Sequence, residues 1–132
     1  MDIEAVAKEI VDSAIKVHRT LGSGLFESTY QICLAYEMRK RGFRVDCEAV
    51  LPIVYDGIKI ESGYRLDMLI DESVVVENKT ADAIAPIHTT QVLTYLRLGG
   101  YRLGFLLNWK VNLMKDGIHR IINPSFKSNR RE

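Results

Sequence analysis

Glu77 and Lys79 stand two residues apart at the end of Val74-Val75-Val76-Glu77-Asn78-Lys79-Thr80, and that spacing is where this sequence could do chemistry. Three consecutive valines have the texture of a buried strand, so charged residues directly after them call for a purpose. Side chains at i and i+2 of a strand project from one face, about 6–7 Å apart along it. Glu77 and Lys79 therefore share a face, and Asn78 takes the other. A second acid, Asp67, interrupts the run Gly63-Tyr64-Arg65-Leu66-Asp67-Met68-Leu69-Ile70, and antiparallel pairing would bring it beside Glu77. Two carboxylates and a main-chain carbonyl, that of Asn78, are the hard oxygen donors Mg2+ takes, with positions left for water and a substrate phosphate. A cation held there lowers the pKa of bound water and offsets charge building on phosphorus, while a neighbouring lysine orients the nucleophile or stabilises the transition state. The chemistry expected of such a set is phosphodiester hydrolysis. Composition alone leaves a plainer alternative open, that the three residues form a cross-strand ion-pair set.

The elements that must position these groups follow from periodicity. Val6, Ala7, Ile10, Val11, Ala14, Ile15, Val17 and Leu21 predict a helix over residues 3–21 with Asp2 as its N-cap, stopped by Gly22-Ser23-Gly24. A second helix over residues 26–41 carries Phe26, Tyr30, Cys33, Leu34 and Met38 as its apolar stripe and ends at Gly42, giving two antiparallel helices. Residues 43–55, the turn Asp56-Gly57, residues 58–70, the turn Asp71-Glu72 and the valine run then predict a three-stranded meander. Pro52 places the first of these strands at an edge or breaks it. A third helix over residues 86–98 opens on Pro86 and closes on Gly99-Gly100. Residues 103–109 are apolar on both faces, and Lys115-Asp116-Gly117 predicts a hairpin turn into residues 118–122. A strand, a helix and a strand in that succession predict a parallel pair, with Glu77 and Lys79 at the strand end where open α/β sheets bind their ligands. The fold class expected is α/β, a central mixed sheet flanked by helices in the order α-α-β-β-β-α-β-β. One domain would span residues 1–125, with a flexible tail over 126–132.

Composition narrows the partners. A net charge of +1 over 132 residues does not announce a nucleic-acid binder. The local basic clusters, Arg39-Lys40-Arg41 with Arg44 and the tail from Lys127 to Arg131, read as a solvated helix end and a frayed terminus. No helix-turn-helix or zinc-finger pattern reads bases. Acid follows Met1 where a signal peptide would carry Lys or Arg, and no apolar run approaches the ~20 residues that cross a bilayer, so a cytoplasmic protein without a membrane partner is expected. Cys33 and Cys47 lack metal-ligand spacing and read as small buried hydrophobes.

Gly24-Leu25-Phe26-Glu27-Ser28-Thr29-Tyr30 spells G-x-x-E-x-x-Y, preceded by Val17-His18-Arg19-Thr20-Leu21-Gly22-Ser23. It is followed in order by Tyr64-Arg65-Leu66-Asp67, Glu77-Asn78-Lys79, Gln91 with Tyr95, and Leu106-Leu107-Asn108-Trp109. Across nearly its whole length the chain thus resembles the small GxxExxY family of the PD-(D/E)xK nuclease superfamily. The resemblance implies a restriction-endonuclease-like core and a nuclease dependent on Mg2+, with Mn2+ as substitute, acting on nucleic acid, DNA ahead of RNA. Glu27, Asp67 and Glu77 would hold the metal or its waters, Lys79 would activate or stabilise, and Gln91 would support. His18, Tyr30, His88 and Tyr95 are further supporting candidates. For His18 a packed ring bonded to a backbone carbonyl is the alternative, for Tyr30 and Tyr95 a core ring with a tethered hydroxyl, and for Glu27 a helix-dipole role worth ~0.3–1 kcal/mol. A catalytically inactive nuclease-fold module that binds nucleic acid or a protein is the rival from another class, and a homodimer gripping a duplex is a further possibility.

Overall fold

The computed structural model describes residues 2–61 and 63–127. Helix α1 (Ile3–Leu21) begins where expected, with the Asp2 carboxylate accepting from the Ala5 N–H at 2.9 Å, and stops at Gly22, whose φ of 75° suits glycine. Helix α2 (Glu27–Lys40) packs against it, burying Tyr30, Leu34 and Met38. Phe26 departs from the expected stripe. It is the extended residue before the helix, and its side chain is 82% exposed.

The basic cluster at the end of α2 is tied into the protein and not simply solvated. Arg41 pairs with Glu9 (3.0 Å), Asp12 (2.9 Å) and Glu37 (2.9 Å), and Glu37 also meets Lys16 (3.1 Å) and Lys40 (3.4 Å). Arg44 pairs with Asp46 and Glu72. Burial would raise the Glu37 carboxyl, but hydrogen bonds from Arg41, Lys16 and Lys40 hold it down at about 2. The unfolded chain protonates this group near the ordinary 4.5, so its stabilising contribution is whole above that pH and fades as pH falls towards 2. Glu37→Gln is expected to cost about 2 kcal/mol at neutral pH, below the usual figure for a fully buried pair because both lysines keep half their surface in water. Urea unfolding at neutral pH and again near the lower pKa checks this, the gap between variant and wild type shrinking in acid.

The strand region is more divided than the sequence suggests. In chain order the elements are β1 (Val45–Val50), β2 (Ile53–Tyr55), β3 (Ile58–Ile60), β4 (Arg65–Ile70), β5 (Val74–Lys79), α3 (Pro86–Gly99), β6 (Leu103–Asn108) and β7 (Ile118–Ile122). Both long runs of the expected meander are broken, the first at Leu51-Pro52 and the second after Ile60, before β4 opens at Arg65. Proline cannot donate to the ladder, and Gly63 turns with φ of 80°. The pieces beyond the breaks, β2 and β3, form a separate two-stranded hairpin, while the main sheet runs β1-β4-β5-β6-β7. Among the described residues only β5 and β6 are parallel, joined by the expected crossover through α3.

Lys115-Asp116-Gly117 is not the expected hairpin turn. It belongs to a 3-10 turn, Met114–Gly117, ending a longer connection from Trp109, because Trp109 and Met114 both bury in the core under α1 and α2 and draw the chain inward. Gly117 is required there, since a Cβ would collide with the Asn108 carbonyl. The sheet separates two cores. Val74, Val76, Phe105 and Trp109 face α1 and α2, and Val75, Leu106 and Leu66 face Val92, Tyr95 and Leu96 of α3. The cysteines are free and neither is fully buried: Cys33 is half-buried, and Cys47 is exposed because β1 is an edge strand. Among the described residues no helix is long and apolar enough to cross a membrane.

Candidate active site

The ladder between β4 and β5 pairs regularly through Ile70 with Val74, Leu69 with Val75 and Met68 with Val76. One step further, side chains take over from backbone carbonyls. The Asp67 N–H donates to Glu77 Oε2 at 2.9 Å, and the Asn78 N–H donates to Asp67 Oδ2 at 2.8 Å. The strands part here with each carboxylate anchored on the opposite backbone. One oxygen of each acid is thereby fixed, and Asp67 Oδ1 and Glu77 Oε1 remain. Glu77 is 6% exposed, and Asp67 and Lys79 are half-buried.

Charge at this opening is unbalanced. Burial, and then the charge of Asp67, pushes the Glu77 carboxyl up to about 8, against the opposing pull of the Asp67 N–H and Lys79. Asp67 is also raised, by burial first and then by Glu48 and Glu27, with the Asn78 N–H and Lys79 pulling it down. Among the described residues no ion pair closes on either acid, so the cross-strand ion-pair alternative fails for lack of the contact. Lys79 acts on both acids through charge alone. Two converging carboxylates short of positive charge, each with an oxygen left over, are a donor set that fits a hard divalent cation. Among the described residues no three His, Cys, Asp or Glu side chains gather closely enough to hold an ion by themselves. Glu27 sits exposed at the first position of α2 and reaches Asp67 through its field.

The remaining candidates divide by face. Tyr95 on α3 is 8% exposed, and its hydroxyl is raised by burial and by the charge of Glu77, with Gln91 acting on it in the opposite sense. The charge of Glu77 is thus felt at Tyr95 on α3, and Gln91 itself is exposed. His88 caps its own helix, Nδ1 accepting from the Ala85 N–H at 3.1 Å. His18 is a packed histidine whose Nε2 donates to the Val111 carbonyl at 3.0 Å. Tyr30 is a core ring with a tethered hydroxyl. It donates to the Gly22 carbonyl at 2.6 Å, accepts from the Leu25 N–H at 3.2 Å, and stacks on Trp109 at 4.7 Å.

Sequence reasoning missed the support beneath the acids. Asn78, 1% exposed, accepts from Trp109 Nε1 at 2.9 Å and donates to Gln31 Oε1 at 3.3 Å, and Gln31 Nε2 donates to Glu48 Oε2 at 2.9 Å. Glu48 lies between the pairs Cys47–Met68 and Ala49–Leu66, alongside Asp67, with a left-handed φ of 55° that costs a non-glycine residue of order 1 kcal/mol. The available signal was the i, i+4 spacing of Glu27 and Gln31 on α2. Asn108, opposite Lys79 in the parallel register, fastens the chain leaving the site, accepting from Ala81 N–H at 3.1 Å and donating to its carbonyl at 3.0 Å.

The family profile described as the PD-(D/E)XK nuclease superfamily matches residues 4–121, and the chain belongs to that superfamily. The five-stranded mixed sheet flanked by helices is the restriction-endonuclease-like fold that membership carries. The finer GxxExxY likeness is compatible with the match and rests on the residues quoted for it. No curated protein and no solved structure matched the chain.

Proposed function

We propose that residues 1–125 form one metal-dependent nuclease unit that hydrolyses phosphodiester bonds of nucleic acid, DNA ahead of RNA. The observation that carries this is the parted end of β4 and β5, where two carboxylates converge with no ion pair among the described residues and with the charge of Lys79 acting on both. Superfamily membership supplies the reaction class, since these enzymes hydrolyse phosphodiesters and typically use divalent metals.

Mg2+, with Mn2+ as substitute, would supply Lewis acidity and a water of lowered pKa. Asp67 Oδ1 and Glu77 Oε1 would hold it, both side chains being oriented beforehand by the backbone N–H groups of Asn78 and Asp67. Glu27 would act through water. The Lys79 ammonium, near both acids and paired with neither, is free to orient the attacking water and to offset charge on a phosphoryl oxygen. Gln91 and Tyr95 would form the α3 wall against which the substrate settles.

A panel of labelled single- and double-stranded DNA and RNA, incubated with Mg2+, Mn2+ or EDTA, tests the proposal and names the substrate. Cutting that EDTA abolishes, and that falls roughly a thousandfold in Asp67→Asn, is expected. Absence of cutting by folded wild type, together with Mg2+ binding indifferent to Asp67, would sink it and leave a nuclease-fold binding module.

A further inference from the structure

The peptide that holds Asp67 belongs to a residue whose own side chain is tied down. Asn78 donates its backbone N–H to Asp67 Oδ2 at 2.8 Å. Its side chain, 1% exposed and on the opposite face of β5 from Glu77, accepts from Trp109 Nε1 at 2.9 Å and donates to Gln31 Oε1 at 3.3 Å, with Met68 Sδ at 3.4 Å. Gln31 Nε2 donates in turn to Glu48 Oε2 at 2.9 Å. Glu48 stands on β1 at the ladder step across from Asp67, between the paired residues Cys47–Met68 and Ala49–Leu66. The path from Asp67 through Asn78, Gln31 and Glu48 thus returns to the strand position beside Asp67.

This chain of bonds has one allowed polarity. An indole N–H only donates and an ionised carboxylate only accepts. The Asn78 amide must therefore turn its oxygen to Trp109 and its NH2 to Gln31, and the Gln31 amide its oxygen to Asn78 and its NH2 to Glu48. Gln31 comes from α2 and reaches β5 and β1, the two strands that flank β4. It clamps the strand carrying Asp67 from both sides. Without it the buried Asn78 NH2 would face only the Met68 sulfur, a weak acceptor.

We infer that Gln31 is a positioning residue of the metal site: by joining Asn78 to Glu48 across β4, it fixes the peptide that aims Asp67. This rests on the nuclease function proposed above and adds the group that aligns its metal-holding acid. Gln31 acts through Asn78 and bonds to neither Asp67 nor Glu77. Groups that orient metal ligands from behind are typically worth about 10- to 100-fold in metal affinity.

Mg2+ binding measured by calorimetry on the full chain tests this, with Asp67→Asn marking the heat that belongs to the site. Gln31→Met is uncharged, similar in length and suited to a helix, and it breaks both bonds. It is expected to weaken Mg2+ binding about 10- to 100-fold and to raise by the same factor the Mg2+ concentration that gives half-maximal cleavage. Gln31→Leu is a second uncharged break, read in the same way, should the methionine variant not fold. Gln31→Glu combined with Glu48→Gln keeps the net charge and reverses the last bond, since the carboxylate placed on α2 accepts both from Asn78 and from the amide placed on β1. The pair is expected to bind Mg2+ within about threefold of wild type. A role confined to stability would lower the unfolding temperature of Gln31→Met and leave its Mg2+ affinity alone. Folded Gln31→Met that binds Mg2+ as wild type does, or an exchanged pair that binds no better than Gln31→Met, would overturn the inference and leave the metal site standing. Wild type that binds no Mg2+ would overturn the proposed function and this inference with it.

Discussion

Glu77→Gln is expected to abolish cleavage, by roughly a thousandfold or more, and at the same time to raise the thermal stability of the metal-free protein at alkaline pH. The two effects have one cause. Glu77 is buried opposite Asp67, and burial first and the charge of Asp67 second make its carboxyl hold a proton up to about 8. In the unfolded chain the same group ionises near 4.5. Between those values the unfolded state binds fewer protons than the folded one, so stability falls as pH rises through the window. Glutamine keeps the shape and the acceptor for the Asp67 N–H without the charge, which removes this slope. By pH 8 the gain should be on the order of a few kcal/mol. Thermal unfolding in EDTA across that window checks it, with the wild-type curve declining more steeply than that of the variant, whose remaining slope comes from Asp67. Adding Mg2+ should reverse the order, because only wild type gains stability by binding it. A variant no more stable than wild type at pH 8 without metal would contradict the charge imbalance assigned to the site.

Trp109→Ala should be the most damaging single change to the fold, costing about 3–5 kcal/mol, enough to leave a domain of ordinary stability largely unfolded. Trp109 is fully buried, stacks on Tyr30, donates through its backbone N–H to the Lys79 carbonyl at 2.9 Å and through Nε1 to Asn78. Removing the indole opens a cavity beneath β5 and orphans Asn78 Oδ1. Trp109→Phe isolates the second effect, keeping most of the stacked surface and costing about 1–3 kcal/mol for the unpaired acceptor. With the chain's single tryptophan gone, urea unfolding followed by circular dichroism supplies both values. A Phe variant that matches Ala in cost would show that the hydrogen bond to Asn78, and not the ring volume, holds this part of the core.

The elements nearest the chemistry were the most legible. The valine run fixed β5 as a strand buried on both faces, the apolar spacing and Asp2 set the bounds of α1, and the succession of strand, helix and strand predicted the parallel β5–β6 pair. Asp67 and Glu77 were readable as neighbours because a carboxylate in an apolar strand is costly to bury unless a ligand or a partner group meets it there. What escaped was decided by contacts distant in sequence. The Asn78–Gln31–Glu48 chain joins residues 47 and 17 positions apart, and the left-handed backbone at Glu48 has no signature in a residue that rarely adopts it. Phe26 fitted a helical stripe by spacing, yet the helix begins one residue later and turns that ring outward. The hairpin of β2 and β3 parts from the sheet at Pro52, which the sequence marks, and again at Gly63, where a lone glycine gives no comparable mark.

Cleavage under single-turnover conditions, comparing wild type with Lys79→Ala in Mg2+ and in EDTA, tests the central claim most directly. Lys79 is half-buried and contributes no ion pair among the described residues, so its loss should leave the fold intact. The proposed function predicts metal-dependent cutting by wild type and a rate lower by roughly two to three orders of magnitude in the folded variant. Equal rates in the two proteins, or cutting that persists in EDTA, would contradict it.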